Sequence, residues 1–89
     1  MNAAEKKKFK SQAHTLKPVV TIGQAGLTDA VINETEIALD SHELIKVKIR
    51  AERDERKQIT ADLCDKTHAE LIQTIGLIAV IYRKNPDKR

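Results

Sequence analysis

The segment Leu44-Ile45-Lys46-Val47-Lys48-Ile49-Arg50 constrains the fold more than any other stretch of the chain. Side chains alternate across a strand, so Ile45, Val47 and Ile49 point one way, and Leu44, Lys46, Lys48 and Arg50 the other. Three β-branched residues at period two call for a buried face. Three cations of the opposite parity call for water. The chain must therefore build a sheet with one covered face and one basic, solvated face.

The rest of the sequence supplies the cover. Ala3 to Leu16 is predicted to be a helix, with Asn2 and Glu5 at capping-box spacing and Phe9, Ala13 and Leu16 on one face. Pro18 ends it, because the residue before a proline avoids the α region. Val19 to Ile22 is a short β-branched strand. Thr28 N-caps a second helix running to about Leu39, with Val31, Ile32, Ile37, Ala38 and Leu39 toward the core. Asp54 to Lys66 forms a third helix, with Ile59, Leu63 and Cys64 inward. Ala69 to Ile75 could extend that helix or form a strand. A strand is favoured, because Gly76 and the apolar run Leu77 to Tyr82 follow at once and suggest a hairpin. The predicted order is α-β-α-β-α-β-β: a two-layer α/β fold with a four-stranded mixed sheet and its helices on one face. Lys46, Lys48 and Arg50 would lie on the bare side.

At 89 residues the chain is expected to be one domain, 1–89, with 85–89 a frayed tail. A third of its residues are charged and 40% are hydrophobic, a balance that suits a folded soluble chain. The net charge is only +3, but its distribution is uneven. No Lys or Arg occurs from Pro18 through Ile45. Cations gather before that stretch, just after it, and at the end. One cysteine, Cys64, cannot form an intrachain disulfide, so a reducing, cytoplasmic setting is expected. The longest apolar run, Leu77 to Tyr82, is far short of the roughly 20 residues of a membrane span. No apolar region follows the first lysines, so no signal peptide is expected.

The loop Gly23-Gln24-Ala25-Gly26 lies between a strand and a helix N-terminus. Glycine lets backbone amides approach a phosphate closely, and the free N–H groups of the helix end favour an anion. KH domains clamp an RNA backbone with a Gly-x-x-Gly loop in a similar manner. Asp29 opposes this reading, since its carboxylate competes for the same helix end. Lys17 stands just before the loop, and Lys46, Lys48 and Arg50 would form a cationic track at roughly 6.6–7 Å spacing.

The run from Leu16-Lys17-Pro18 through Ile22-Gly23-Gln24-Ala25-Gly26-Leu27-Thr28 resembles the signature of the CRM domain (chloroplast RNA splicing and ribosome maturation). His42-Glu43-Leu44-Ile45-Lys46-Val47-Lys48 and Ile75-Gly76-Leu77-Ile78-Ala79-Val80-Ile81-Tyr82-Arg83 extend the resemblance over nearly the whole chain. A free-standing domain of this length is similar to the bacterial YhbY-type members. The resemblance implies a fold like the C-terminal domain of translation initiation factor 3. It also implies RNA binding and association with precursor large ribosomal subunits. Many relatives have lysine after the first loop glycine, where this chain has Gln24, so the loop would lean on backbone amides.

Chemistry other than binding finds little support. His14, His42 and His68 are scattered, and none has metal-ligand spacing with Cys64. There is no phosphate-binding Walker loop, nucleophile elbow or dinucleotide fingerprint. A small RNase therefore lacks a visible acid–base pair. Phe9 and Tyr82 are expected to pack rather than stack on bases, so shape and phosphate recognition is expected over sequence reading. The expected protein is a non-enzymatic, monomeric RNA-binding factor in large-subunit maturation. It would need no cofactor, metal, membrane or small-molecule substrate. Its clamp would be Gly23, Gln24, Ala25 and Gly26. Lys17, Lys46, Lys48 and Arg50 would neutralise phosphates, and Lys7, Lys10, Arg53, Lys57, Arg83 and Lys84 would make outer contacts. The alternative is a protein-interaction module whose acidic second helix (Glu34, Glu36, Asp40) meets a basic ribosomal protein.

Overall fold

The structure, a computed structural model, describes residues 1–85. Its elements are α1 (Ala3–Ala13), β1 (Pro18–Ile22), α2 (Asp29–His42), β2 (Leu44–Ile49), α3 (Arg53–Thr67), β3 (Glu70–Ile75) and β4 (Ile78–Tyr82). The four strands form one sheet in the order β1-β2-β4-β3. β1 runs parallel to β2, while β2 with β4 and β4 with β3 are antiparallel. The ambiguous segment before Gly76 is a strand, and Gly76 makes the hairpin turn at a φ of 57°.

Local chemistry sets the element starts. Asn2 and Glu5 complete a reciprocal capping box on α1, with Asn2 Oδ1 accepting from Glu5 N–H at 2.8 Å. Thr28 Oγ1 accepts from Val31 N–H at 3.2 Å and caps α2. α1 ends at Ala13, three residues earlier than expected. Leu16 N–H instead donates to the Ala13 carbonyl, and Leu16 stays 36% exposed. The chain needs those residues to turn into Pro18, which already pairs with Lys46.

The main core lies between the sheet and the α2–α3 pair. Val20, Ile22, Leu39, Ile45, Val47, Ile49, Leu63, Ala79 and Ile81 form one buried cluster. Truncating a fully buried member such as Leu39 to Ala would cost about 2–5 kcal/mol. Ile37 is a correction: it is 58% exposed, and Thr35 occupies the inward position instead. Thr35, Thr60 and Thr67 are buried because each hydroxyl donates to the carbonyl four residues back, at 2.7–2.8 Å. That bond removes the cost of a dry hydroxyl.

The expected placement of all helices on one face also needs correction. α2 and α3 share a face, but α1 packs on the other. Its Phe9 and Ala13 meet Leu44, Ile72, Val80 and Tyr82, and the Phe9 and Tyr82 rings stack at a centroid distance of 4.2 Å. The cause is visible in β4, which is apolar at both parities. Such a strand buries both faces.

Candidate nucleic-acid interface

The pairing of β1 with β2 arranges the candidate residues. Pro18 lies opposite Lys46, Thr21 opposite Lys48 and Ile22 opposite Ile49. Arg50 N–H then donates to the Ile22 carbonyl at 2.9 Å, one residue before the glycine loop. Lys17 thus stands beside the start of the track and Gly23 beside its end. Strand parity puts Lys46, Lys48 and Thr21 on one side of the sheet, away from α2 and α3. Lys46 and Lys48 are half-buried there, and Lys17 and Arg50 are exposed. Among the described residues none of the four makes an ion pair.

The loop itself is a turn closed by Gly26 N–H donating to the Gly23 carbonyl at 3.0 Å. Its two glycines differ. Gly26 has a φ of 72°, a left-handed conformation that favours glycine. Gly23 has no such φ, and a Cβ built on it would touch nothing within 4 Å. Folding alone does not require glycine at 23. Gln24 and Ala25 are exposed at the tip, and Asp29 opens the first turn of α2 behind them. The hairpin turn reaches the same edge, where Ile49 N–H donates to the Leu77 carbonyl at 2.7 Å.

The outer candidates separate. Lys7 and Lys10 are exposed on α1, on the same side of the sheet as Lys46 and Lys48. Arg53 and Lys57 are exposed on the first turns of α3, just past Arg50. Lys84 is exposed beyond β4, at the opposite edge.

Arg83 is already engaged within the fold. Its Nη1 donates to Glu36 Oε1 and to the Thr67 carbonyl, and its Nη2 to Asp40 Oδ1, each at 2.8 Å. This guanidinium ties β4 to α2 and to the end of α3. The same contacts occupy two of the three carboxylates, Glu36 and Asp40, that the protein-interaction alternative needs. Asn85, expected in a frayed tail, is held by Glu43 Oε2 and the Asp40 carbonyl, both at 2.6 Å. The remainder of that tail, 86–89, lies outside the described residues.

Burial raises the Cys64 thiol above its ordinary 9.0, as suits a packed and unreactive group. Burial, with Glu43, Glu5 and Glu70 nearby, raises the Tyr82 phenol above 10.0. Among the described residues no group of three or more His, Cys, Asp or Glu could hold a metal ion. Nor is any helix there long and apolar enough to cross a membrane.

Fold and site together define a small mixed-sheet α/β domain with a glycine turn at a cationic strand edge. The CRS1 / YhbY (CRM) domain description matches residues 1–83, and the chain belongs to that family. The Probable RNA-binding protein PA4753 of Pseudomonas aeruginosa is 51% identical over 83 residues, covering 92% of this chain and 80% of that one. A Haemophilus influenzae protein named RNA-binding protein is 41% identical over 90 residues, covering 100% of this chain and 91% of that one. The solution structure of the hypothetical protein SAV1595 from Staphylococcus aureus matches with a TM-score of 0.86 at 31% identity, over 100% of this chain and 94% of that one.

Proposed function

We propose that this chain is a non-enzymatic RNA-binding domain that grips the sugar-phosphate backbone of structured RNA. Lys17, Lys46, Lys48 and Arg50 neutralise phosphates, and Gly23, Gln24, Ala25 and Gly26 form the clamp at the end of that track. Lys7, Lys10, Arg53 and Lys57 are outer contacts. Lys84, at the opposite edge, is peripheral, and Arg83 drops out. The observation that carries the reading is the parallel β1–β2 register, which runs four cations, without ion-pair partners among the described residues, alongside one strand and into the glycine turn. The surplus glycine at 23 adds to it, because close approach of a backbone to a ligand is the usual reason for such a residue. RNA is the polyanion chosen because two relatives carry RNA binding in their names.

The finer reading is an accessory factor of ribosome maturation. It would act in the cytoplasm, as a monomer, on the RNA of precursor large subunits. This part rests on the family resemblance. Fluorescence anisotropy with large-subunit ribosomal RNA fragments over a salt series tests the first claim. Four phosphate contacts give a slope of log affinity against log salt of about −3. A flat response, or no binding at low salt, ends the proposal. Co-sedimentation with precursor large subunits tests the finer claim, and its absence in cells would remove that claim alone.

A further inference from the structure

We propose that the groove between α3 and the β3–β4 hairpin holds one unpaired nucleotide of the bound RNA, with Arg56 as its stacking plane. The inference rests on the RNA-binding reading and goes beyond it, since backbone neutralisation alone needs no base site. β3 is an edge strand, and α3 covers it incompletely. Leu71 is 40% exposed, and Thr74 on the same face is exposed too. An open groove of about 930 Å³ results, with Leu71, Thr74 and Ala79 as floor and Arg53, Arg56 and Lys57 along the helix wall. Among the described residues Asp54 is the one carboxylate that lines it.

Three features select the occupant. The floor is mainly apolar and the wall cationic, with no ion-pair partner for those three cations among the described residues. A nucleotide offers a flat apolar face and a phosphate together, and so complements both. Arg56 is half-buried, and its Nη1 donates to the Ala51 carbonyl at 2.8 Å, which fixes the guanidinium in place. A held guanidinium plane substitutes for the aromatic platform that the exposed surface lacks, because bases stack on arginine as well as on rings. The groove is also continuous with the proposed track. Arg53 begins α3 three residues after Arg50, and Arg50 is hydrogen-bonded to the residue before Gly23. A strand leaving the glycine turn therefore meets Arg53 next.

Anisotropy of the full chain with two labelled RNA hairpins, one fully paired and one with a single unpaired nucleotide, tests this. The wild type is expected to bind the second about ten-fold more tightly, the order of one stacked base. Leu71→Glu, at an exposed position, and Arg56→Lys, which keeps charge but loses the plane, should each erase that preference. Both should hold the paired hairpin within about two-fold, with unchanged thermal melting for Leu71→Glu. Equal wild-type affinity for the two hairpins with a steep salt response would overturn the base site and leave the RNA-binding reading intact. Loss of binding to both RNAs at low salt would end both. Displacement of the unpaired-nucleotide preference by neither variant, or capture of an acidic amphipathic peptide by the groove while the hairpins stay indistinguishable, would also overturn it.

Discussion

Arg50 follows the last residue of β2, and Arg83 follows the last residue of β4. Because these neighbouring strands are antiparallel, the two arginines stand at opposite ends of the sheet, the two edges along which its strands terminate. In sequence they look alike: each is a cation that follows a strand rich in β-branched residues. At one edge Arg83 spends its guanidinium on Glu36, Asp40 and the Thr67 carbonyl. At the other, Arg50 is exposed and has no ion-pair partner among the described residues, beside a glycine turn. Counting cations along a chain therefore misjudges what a polyanion can reach. The acidic run from Asp29 to Glu43 is what divides them. It folds as α2, whose C-terminal half neutralises one edge and whose N-terminus backs the other.

The contrast makes predictions in order of size. Lys46→Glu with Lys48→Glu should weaken RNA binding by about 100-fold or more at low salt and flatten the salt slope by about 2, by anisotropy, with melting unchanged. If binding survives, the open edge is not the interface. Arg83→Ala should do the reverse. It should lower stability by about 2 kcal/mol, seen as a melting point roughly 10 °C lower, and leave RNA affinity within about two-fold. A large loss of affinity at unchanged stability would place Arg83 back among the contacts. The two glycines sharpen the comparison within one turn. Gly26→Ala should cost about 1 kcal/mol in a denaturant titration, because of its positive φ. Gly23→Ala should leave stability unaltered and weaken binding several-fold.

The smallest effect is at the closed edge, in alkali. The folded state holds the Tyr82 proton more tightly than the unfolded chain does, so its contribution is complete below about pH 10. It is lost as pH rises through the higher folded value. Tyr82→Phe should flatten the stability curve there, measured by thermal melts between pH 8 and 11.

Much of the fold was legible locally. The capping box at Asn2, the Thr28 cap, the β2 alternation and the Gly76 hairpin each depend on residues within a few positions of one another. Apolar character alone does not fix which side of an element packs. Ile37 is β-branched, but at 3.6 residues per turn it stands on the opposite side of α2 from the buried Thr35 and Leu39, so it faces outward. The side that α1 covers carries a local signal of its own: Leu44 breaks the polar parity of β2, and β4 is apolar on both parities. Together they called for a second cover. For the site, the loop and the strand cations could be named from residue type and spacing, but Arg56 could not. Only its half-burial and its bond to the Ala51 carbonyl distinguish it from Arg53, the other arginine of the helix and of the groove wall.

By itself the sequence determined the elements, the parity of β2 and the position of the glycine turn. All of these follow from backbone preferences and periodicities that act over one to seven residues. The tertiary structure alone decided which cations are free, which face α1 shields, and that α3 leaves the edge strand partly uncovered. Those outcomes depend on partners distant in the chain, such as Arg83 and Glu36, 47 residues apart. A charge acquires its role from the counter-charges and dielectric that folding brings to it, and no local pattern records them.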